Sequence, residues 1–281
     1  MEKNRDAHKI VTMCEHLDVS TSGYYDWRDR PACERAQYDA VLVDQIVEMH
    51  RGHEENYGAV RVHPYLKGLS YSCSRRRINR LMKAHGIRSK YHAHRPRRSN
   101  GSNAPVADNV LATRPLANQS GEHWAGDMTY LKTKEGDFYL AAILDLWSRK
   151  VIGWAFSRNH DADLVKGALD MSLAFETRQP DCLFHSDQGS EYRSESYRSR
   201  LSEVGMISSM SRPGKPTDNA YVESFFKTLR NELLHHWRFN TLTECVARVL
   251  EYVEFYNERR LHSSLNYMSP NEYQLLHSKC P

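Results

Sequence analysis

The chain has 281 residues, 40% hydrophobic and 26% charged, with a formal net charge of +4, enough for one sizeable core with one or two smaller domains beside it. No run approaches ~18 consecutive apolar residues and charge is scattered through the first thirty, so neither a membrane span nor a secretory signal is expected, and the cytoplasm is the expected location. Six cysteines, Cys14, Cys33, Cys73, Cys182, Cys245 and Cys280, are spread without close pairing, which fits free thiols better than a disulfide framework or a zinc knuckle.

Residues 8 to 30 predict two short helices. Ile10, Val11, Cys14 and Leu17 recur at helical spacing, and Ser20 or Thr21 is placed to cap a second helix carrying Tyr24, Tyr25 and Trp27. The pair has helix-turn-helix size, a pattern that any small helical pair also gives. A second helical unit runs from about Tyr38 to Gly86, its first helix carrying Val41, Val43, Ile46 and Val47 and its last Ile78, Leu81 and Met82. Charge is uneven here. Between Arg61 and Asn100 there is no Asp or Glu, while Arg61, Lys67, Arg75, Arg76, Arg77, Arg80, Lys83, Arg88, Lys90, Arg95, Arg97 and Arg98 supply twelve positive charges. A block of one sign is either a solvated surface or an electrostatic footprint for a polyanion. A basic helix ending at Gly86, with Arg75, Arg76, Arg77, Arg80 and Lys83 around its apolar stripe, is shaped to lie along phosphates. Residues 91 to 119 then turn to Arg, Pro, Ser, Asn and Gly and read as a linker.

Beyond the linker the periodicity changes. Residues 123 to 132 alternate like a strand, and 138 to 156 read as two strands joined by a polar turn near Ser148 to Lys150. A helix follows from about Ala162 to Glu176. Residues 182 to 187 form a short apolar run of the kind buried in a parallel sheet. Residues 195 to 204 are helical, 206 to 211 a short strand, and a longer helix starts near Asp218 or Asn219. A mixed sheet flanked by helices is the economical α/β solution to that order. After Leu234 comes an amphipathic helix opened by a capping box of Thr241 and Glu244, with Val246, Val249, Leu250 and Val253 as its buried stripe. It is expected to pack on the sheet domain or on a partner subunit.

Three acids stand where carboxylates are least comfortable: Asp127 within the first strand, Asp187 at the end of the buried strand, and Glu223 one turn into the long helix. Each alone is more often a turn or capping residue. Together, on two neighbouring parallel strands and a facing helix, they can converge on one point. Hard divalent cations such as Mg2+ relieve the repulsion between such acids and leave places for water and phosphate. Two ions about 3.5 to 4 Å apart activate an attacking oxygen and stabilise a leaving one. On the helix, Val222, Phe225, Phe226, Leu229 and Leu233 make the apolar stripe, while Glu223, Lys227 and Arg230 line a neighbouring face. A Glu223 to Lys227 pair on a wet surface has the right spacing as well.

Thirty-five residues separate Asp187 from Glu223, and these acids resemble the D,D,35,E set of RNase H-like transposases and retroviral-type integrases. The flanking words WAGDMTYL, YLAAILDLWSRKVIGWAF, FHSDQGSEY, SMSRPGKPTDNAYVESFFKTLRNEL and YNERRLHSSLNYMSP are more similar still to the OrfB transposases of insertion-sequence family three. Weaker likeness in VSTSGYYDW and YGAVRV extends it over nearly the whole chain. The resemblance implies an RNase H-like fold preceded by small all-α DNA-binding regions. It implies catalysis by Asp127, Asp187 and Glu223 holding two Mg2+ ions, with Mn2+ as a substitute, cleavage at terminal inverted repeats, and strand transfer to target DNA by a 3′ hydroxyl. It implies substrate contact by Arg230, with Lys227 on the same face also expected to bind DNA, a homo-oligomer on the DNA, association with the nucleoid, and an OrfA partner or fusion upstream. No zinc is expected, because Cys14, His16 and Cys33 lack the spacing of the integrase zinc domain. His185 is expected to be a packed neighbour of Asp187, and the role of His262 is not derivable.

The expected organisation is a helix-turn-helix-like region over 1–32, a basic helical DNA-binding domain over 38–90, the linker 91–119, a catalytic domain over 120–235 and a helical extension over 236–281. A transposase leads the readings. A metal-dependent nuclease of the same fold, which cuts without joining, and a catalytically silent DNA-binding repressor are the alternatives. The intact acids weigh against a pure binder, which gains affinity by losing negative charge near phosphates.

Overall fold

The computed structural model describes residues 1–90, 106–213 and 215–278; Arg95, Arg97 and Arg98 of the basic block, residues 91–105 of the expected linker and Cys280 lie outside them. At the front, α1 (Ile10–His16) and α2 (Thr21–Asp29) form a small pair. Ser20, not Thr21, caps α2, its side chain accepting from Gly23 N at 3.0 Å. Cys14 and Tyr24 are the pair's buried residues, while Val11, Leu17, Val19 and Trp27 stay exposed.

Three further helices, α3 (Glu34–Gly52), α4 (Ala59–Gly68) and α5 (Arg75–Ala84), enclose a core of Leu42, Ile46, Met49, Tyr57, Val62, Leu66, Ile78, Leu81 and Met82. The stripe on α3 keeps the expected Ile46 and half-buried Val43, with Leu42 buried in place of Val41, which is 46% exposed. Ser74 caps α5 by accepting from Arg77 N, and Gly86 at φ +69° closes its C-terminal end in the left-handed region that glycine enters without cost.

Five strands come next: β1 (His123–Thr133), β2 (Gly136–Asp145), β3 (Val151–Ser157), β4 (Leu183–Ser186) and β5 (Ile207–Met210), in the spatial order β3-β2-β1-β4-β5. The first three pair antiparallel, and β1, β4 and β5 parallel. Alternation along β2 divides its side chains between two cores. Phe138, Leu140, Ala142 and Leu144 face α9 (Ala220–Leu229) and α10 (Leu242–Glu258). Ala141 and Ile143 face α6 (Ala162–Phe175) and α8 (Glu195–Glu203), the latter preceded by the short α7 (Ser190–Arg193). A strand buried on both faces reads as a continuous apolar run, which is why LAAIL marks it.

Residues 108–111 lie against the outer edge of β5. Met210 N donates to Asp108 O at 3.3 Å and Leu111 N to Ser209 Oγ at 3.1 Å, so an exposed strand edge is covered. The turn after β2 is stapled by Asp145, a buried acid that accepts from Ser148 N, Trp147 N and Gly121 N. Past α9 the helix widens into a π turn, Arg230–Leu234. Thr241 caps α10, but Glu244 reaches Asn240 N at 2.8 Å, so the expected capping box does not close on Thr241. The stripe of α10 is Cys245, Val249, Tyr252, Val253 and Tyr256; Leu250 is 37% exposed. A full capping box, Ser269 with Glu272, opens α11 (Pro270–His277). No helix among the described residues is long and apolar enough to cross a membrane, and the five described cysteines are free thiols.

Candidate active site

Register brings the two aspartates level. The last parallel pair between β1 and β4 is Ala125 with His185, and Asp127 and Asp187 each lie two residues beyond it, Asp127 within β1 and Asp187 just past the end of β4. Ala125 and Leu131 belong to the core shared with α9, so Asp127, in phase with them along β1, also points to α9, which carries Glu223. Gly126, between Ala125 and Asp127, has no room for a side chain: a Cβ there would meet Phe184 Cζ at 2.7 Å. Its carbonyl accepts from Asn219 Nδ2 at 3.1 Å. Buried Asn219 thereby fastens the start of α9 to β1 beside Asp127.

Asp127 Oδ1 accepts from Met128 N at 2.7 Å and Asp187 Oδ1 from Gly189 N at 2.8 Å; the other oxygen of each enters none of the described hydrogen bonds. Burial pushes the Asp127 carboxyl up to about 8, with Asp187 and then Glu223 adding repulsion, against the Met128 N–H and Arg230. Enclosure raises Asp187 as well, with neighbouring Glu191 adding to it and the Gly189 N–H, His160 and Arg193 opposing. Glu223 is raised by partial burial and Asp187 and lowered by Arg230. The three predicted acids therefore share one electrostatic neighbourhood, with Arg230 opposing the charge of Asp127 and Glu223, and His160 and Arg193 that of Asp187. The donor set is chemically suited to a hard cation, being three carboxylates with oxygens uncommitted to protein donors. Among the described residues, no three Asp, Glu, His or Cys side chains are drawn close enough together to hold an ion as they stand.

Sequence reasoning missed Glu191. It is 4% exposed, with His160 Nδ1 at 2.6 Å and Ser190 Oγ donating at 2.8 Å. A Cβ on Gly189 would meet Glu191 Oε2 at 2.5 Å and Asp187 Oδ1 at 3.0 Å, so any side chain there would push on both acids. The only signal for it was a second acid four residues after Asp187. His185 is fully buried between Ser209 Oγ (2.9 Å) and Ser211 Oγ (3.1 Å), and burial lowers it to about 4, which suits a packed neighbour.

The predicted DNA-binding residues divide. Lys227 and Arg230 are exposed beside Glu223 and enter none of the described ion pairs, so the surface pair between Glu223 and Lys227 does not form. On α5, Arg75, Arg76 and Lys83 are exposed. Arg77 and Arg80 are held by Asp39 of α3, each at 2.7 Å. Arg61 turns inward to Glu232 at 3.5 Å. The one-sign block of the sequence is thus partly neutralised by acids from outside it.

A mixed sheet in this order, with acids on its first strand, after its fourth and on the following helix, defines an RNase H-like core of the integrase type. Integrase core domain families match residues 117–216 and 204–270, and an HTH-like domain family matches 37–95. The transposase of insertion element IS904 from Lactococcus lactis subsp. lactis (strain IL1403) is 36% identical over 251 residues, covering 89% of this chain and 99% of that protein. The transposase InsF of IS3A from Escherichia coli (strain K12) is 34% identical over 286 residues, covering 98% and 96%. Among solved structures, the catalytic core of HTLV-2 integrase in complex with magnesium is similar at 14% identity and a TM-score of 0.45, over 56% of this chain and 97% of that one. The chain belongs to the transposases of insertion-sequence family three, DDE enzymes with an integrase core.

Proposed function

We propose that Asp127, Asp187 and Glu223 jointly bind the metal ions with which this transposase cuts the ends of its element and joins them to target DNA. The observation that carries the reading is the convergence of the three acids: the β1–β4 register levels Asp127 with Asp187, Asp127 is in phase with the residues that pack on α9, and Asn219 ties the start of that helix to Gly126. Acids so arranged gain most from a shared divalent cation. Two Mg2+ ions, or Mn2+ in their place, supply activation of the attacking oxygen and stabilisation of the leaving one. Asn219 and Gly126 fix α9 against β1 so that the three acids keep their spacing. Arg230 and Lys227 bind DNA phosphates entering the site, and Arg75, Arg76 and Lys83 bind phosphates on α5. Arg77 and Arg80, shared with Asp39, chiefly tie α5 to α3.

The proposed division stays at 1–32, 38–90, 91–119, 120–235 and 236–281, with α3–α5 as the DNA-holding unit and α10 of the last segment packed into the core of the sheet. The α10–α11 region supports the catalytic sheet. The substrates are terminal inverted repeats and target DNA, the working form is a homo-oligomer on DNA with an OrfA-type partner or fusion, and the place of action is the cytoplasm, at the nucleoid.

Asp127→Asn, Asp187→Asn and Glu223→Gln should each abolish cleavage and joining of labelled element ends in Mg2+, while folding and DNA binding survive. Without metal, binding should strengthen as repulsion between carboxylate and phosphate falls. Double and triple variants should be no worse than single ones, because each loss already disables the shared site. A single variant that joins ends at the wild-type rate removes its residue from the set.

A further inference from the structure

Glu232 sits in the π turn, two residues after Arg230 and nine after Glu223. Its side chain is fully buried. The wide turn offsets the residues beyond it by about one position, roughly 100° around the axis, and Asn231, Glu232 and Leu233 are buried in succession. Glu232 accepts from Arg260 Nε and Nη2, both at 2.9 Å, a fork-to-fork pair. Tyr252 Oη donates to the same carboxylate at 2.9 Å.

A second cation reaches that carboxylate from another unit. Arg61 belongs to α4, and its Nη1 lies 3.5 Å from Glu232 Oε1 while its guanidinium stacks over Tyr57 at 5.2 Å. Tyr57 Oη accepts from Leu261 N at 2.8 Å, and Leu261 packs into the core of α3–α5. A cleft of about 300 Å3, lined among others by Arg51, Lys90, Leu233, Trp237 and Tyr252, separates the same two units beside these contacts. The same two units also meet where His53 lies edge-on to Phe255 at 6.2 Å, and Glu232 is the contact whose chain leads directly to Arg230 and Glu223.

We propose that Arg61 and Glu232 are positioning residues, a clasp that fixes the DNA-holding unit α3–α5 against the helix carrying Glu223 and Arg230, so that bound DNA meets the acids in one register. The inference rests on the reading of α3–α5 as the DNA-holding unit and of the triad as the cutting site. The clasp also explains why an arginine within a basic block points inward: its charge serves a carboxylate rather than a phosphate.

Arg61→Met is the informative change, because it keeps the apolar stem and leaves Glu232 paired with Arg260. In the full chain it should bind element-end DNA within about twofold of wild type and with the same salt slope, yet cleave bound DNA in single turnover about tenfold more slowly. Arg61→Lys, which restores a cation in reach of Glu232, should recover most of that rate. A flatter salt slope for Arg61→Met would make Arg61 a phosphate contact and overturn the clasp; so would wild-type cleavage of bound DNA. Hydrogen exchange without DNA supplies a readout independent of cutting. Amides of 57–62 and 230–234 should exchange faster in Arg61→Met while β1 and β2 do not change, and equal exchange on both sides of the seam sinks the proposal. Asp127→Asn serves as control: cleavage by that variant would condemn the catalytic reading, whereas the exchange result would still decide the clasp.

Discussion

His262 packs edge-on against Tyr256 and accepts from Arg260 Nη1 at 3.4 Å, within the network that holds Glu232. Burial, with Arg260 and then Arg61 adding positive charge, lowers its pKa to about 2, while the Tyr256 carbonyl opposes the shift. The unfolded imidazole titrates near ~6.5. Between those values the unfolded chain binds a proton that the folded chain refuses, so this contribution to stability is complete above about pH 6.5 and is lost as pH falls toward the folded value. His185, lowered to about 4 by burial, acts in the same direction. His262→Gln offers an acceptor to Arg260 and a donor to the Tyr256 carbonyl, and it does not titrate. Its urea-unfolding free energy should therefore fall less than that of wild type between about pH 7.5 and pH 5, by on the order of 2 kcal/mol. Parallel losses in the two proteins would show that His262 is not charged on unfolding in the way described.

α10 completes the catalytic core from beyond the region where the acids lie. Val249, Tyr252, Val253 and Tyr256 cover the same sheet face as Val222, Phe225, Phe226 and Leu229 of α9, and each such buried side chain is worth about 1.5–3 kcal/mol against water. Truncation before Thr241 would uncover that face and strip Glu232 of Arg260, so the shortened chain should be insoluble or loosely packed by near-ultraviolet circular dichroism. A truncated protein that stayed folded and cut DNA would show that the support is dispensable. The sequence disclosed this helix and, through Val249 and Val253, most of its buried stripe, but not Leu250's exposure. Aliphatic periodicity alone selected Leu250, whereas the helix buries Tyr252 and Tyr256, aromatic residues whose hydroxyl ends give no apolar signal until Glu232 is known to receive one of them. The run Val41-Leu42-Val43 on α3 has no phase of its own, and long-range packing against α5 chose Leu42. β2 was legible because its two-faced burial leaves an unbroken apolar word, and the acids because carboxylates at strand ends stand out against such words. The π turn had no local signature; its buried Glu232 depends on Arg260, twenty-eight residues onward.

Across the whole molecule, a net charge of +4 conceals an uneven surface, and contacts remote in sequence decide which cations remain for DNA. Asp39 is thirty-eight residues from Arg77, so no reading of the block from 61 to 100 could have discounted that arginine or Arg80. Those two guanidiniums hold the Asp39 carboxyl below its usual range, Arg80 contributing most, and join α3 to α5. Arg75, Arg76 and Lys83 carry no described ion pair and face solvent. Counterion release makes the distinction measurable, because each phosphate contact steepens the dependence of log K on log salt by about 0.9. Replacing Arg75, Arg76 and Lys83 together with Ala should weaken binding to every DNA sequence alike and reduce the salt slope by roughly three, with thermal stability unchanged. Replacing Arg77 and Arg80 together should lower the melting temperature, because Asp39 loses both partners at a half-buried seam, and should change the slope by less. The measurements are fluorescence anisotropy across a salt series on specific and unrelated duplexes, and thermal unfolding of the same proteins. An unchanged slope in the first variant would assign α5 to the solvated surface, whereas equal slopes and equal melting temperatures in the two variants would mean that Asp39 does not withdraw Arg77 and Arg80 from the DNA.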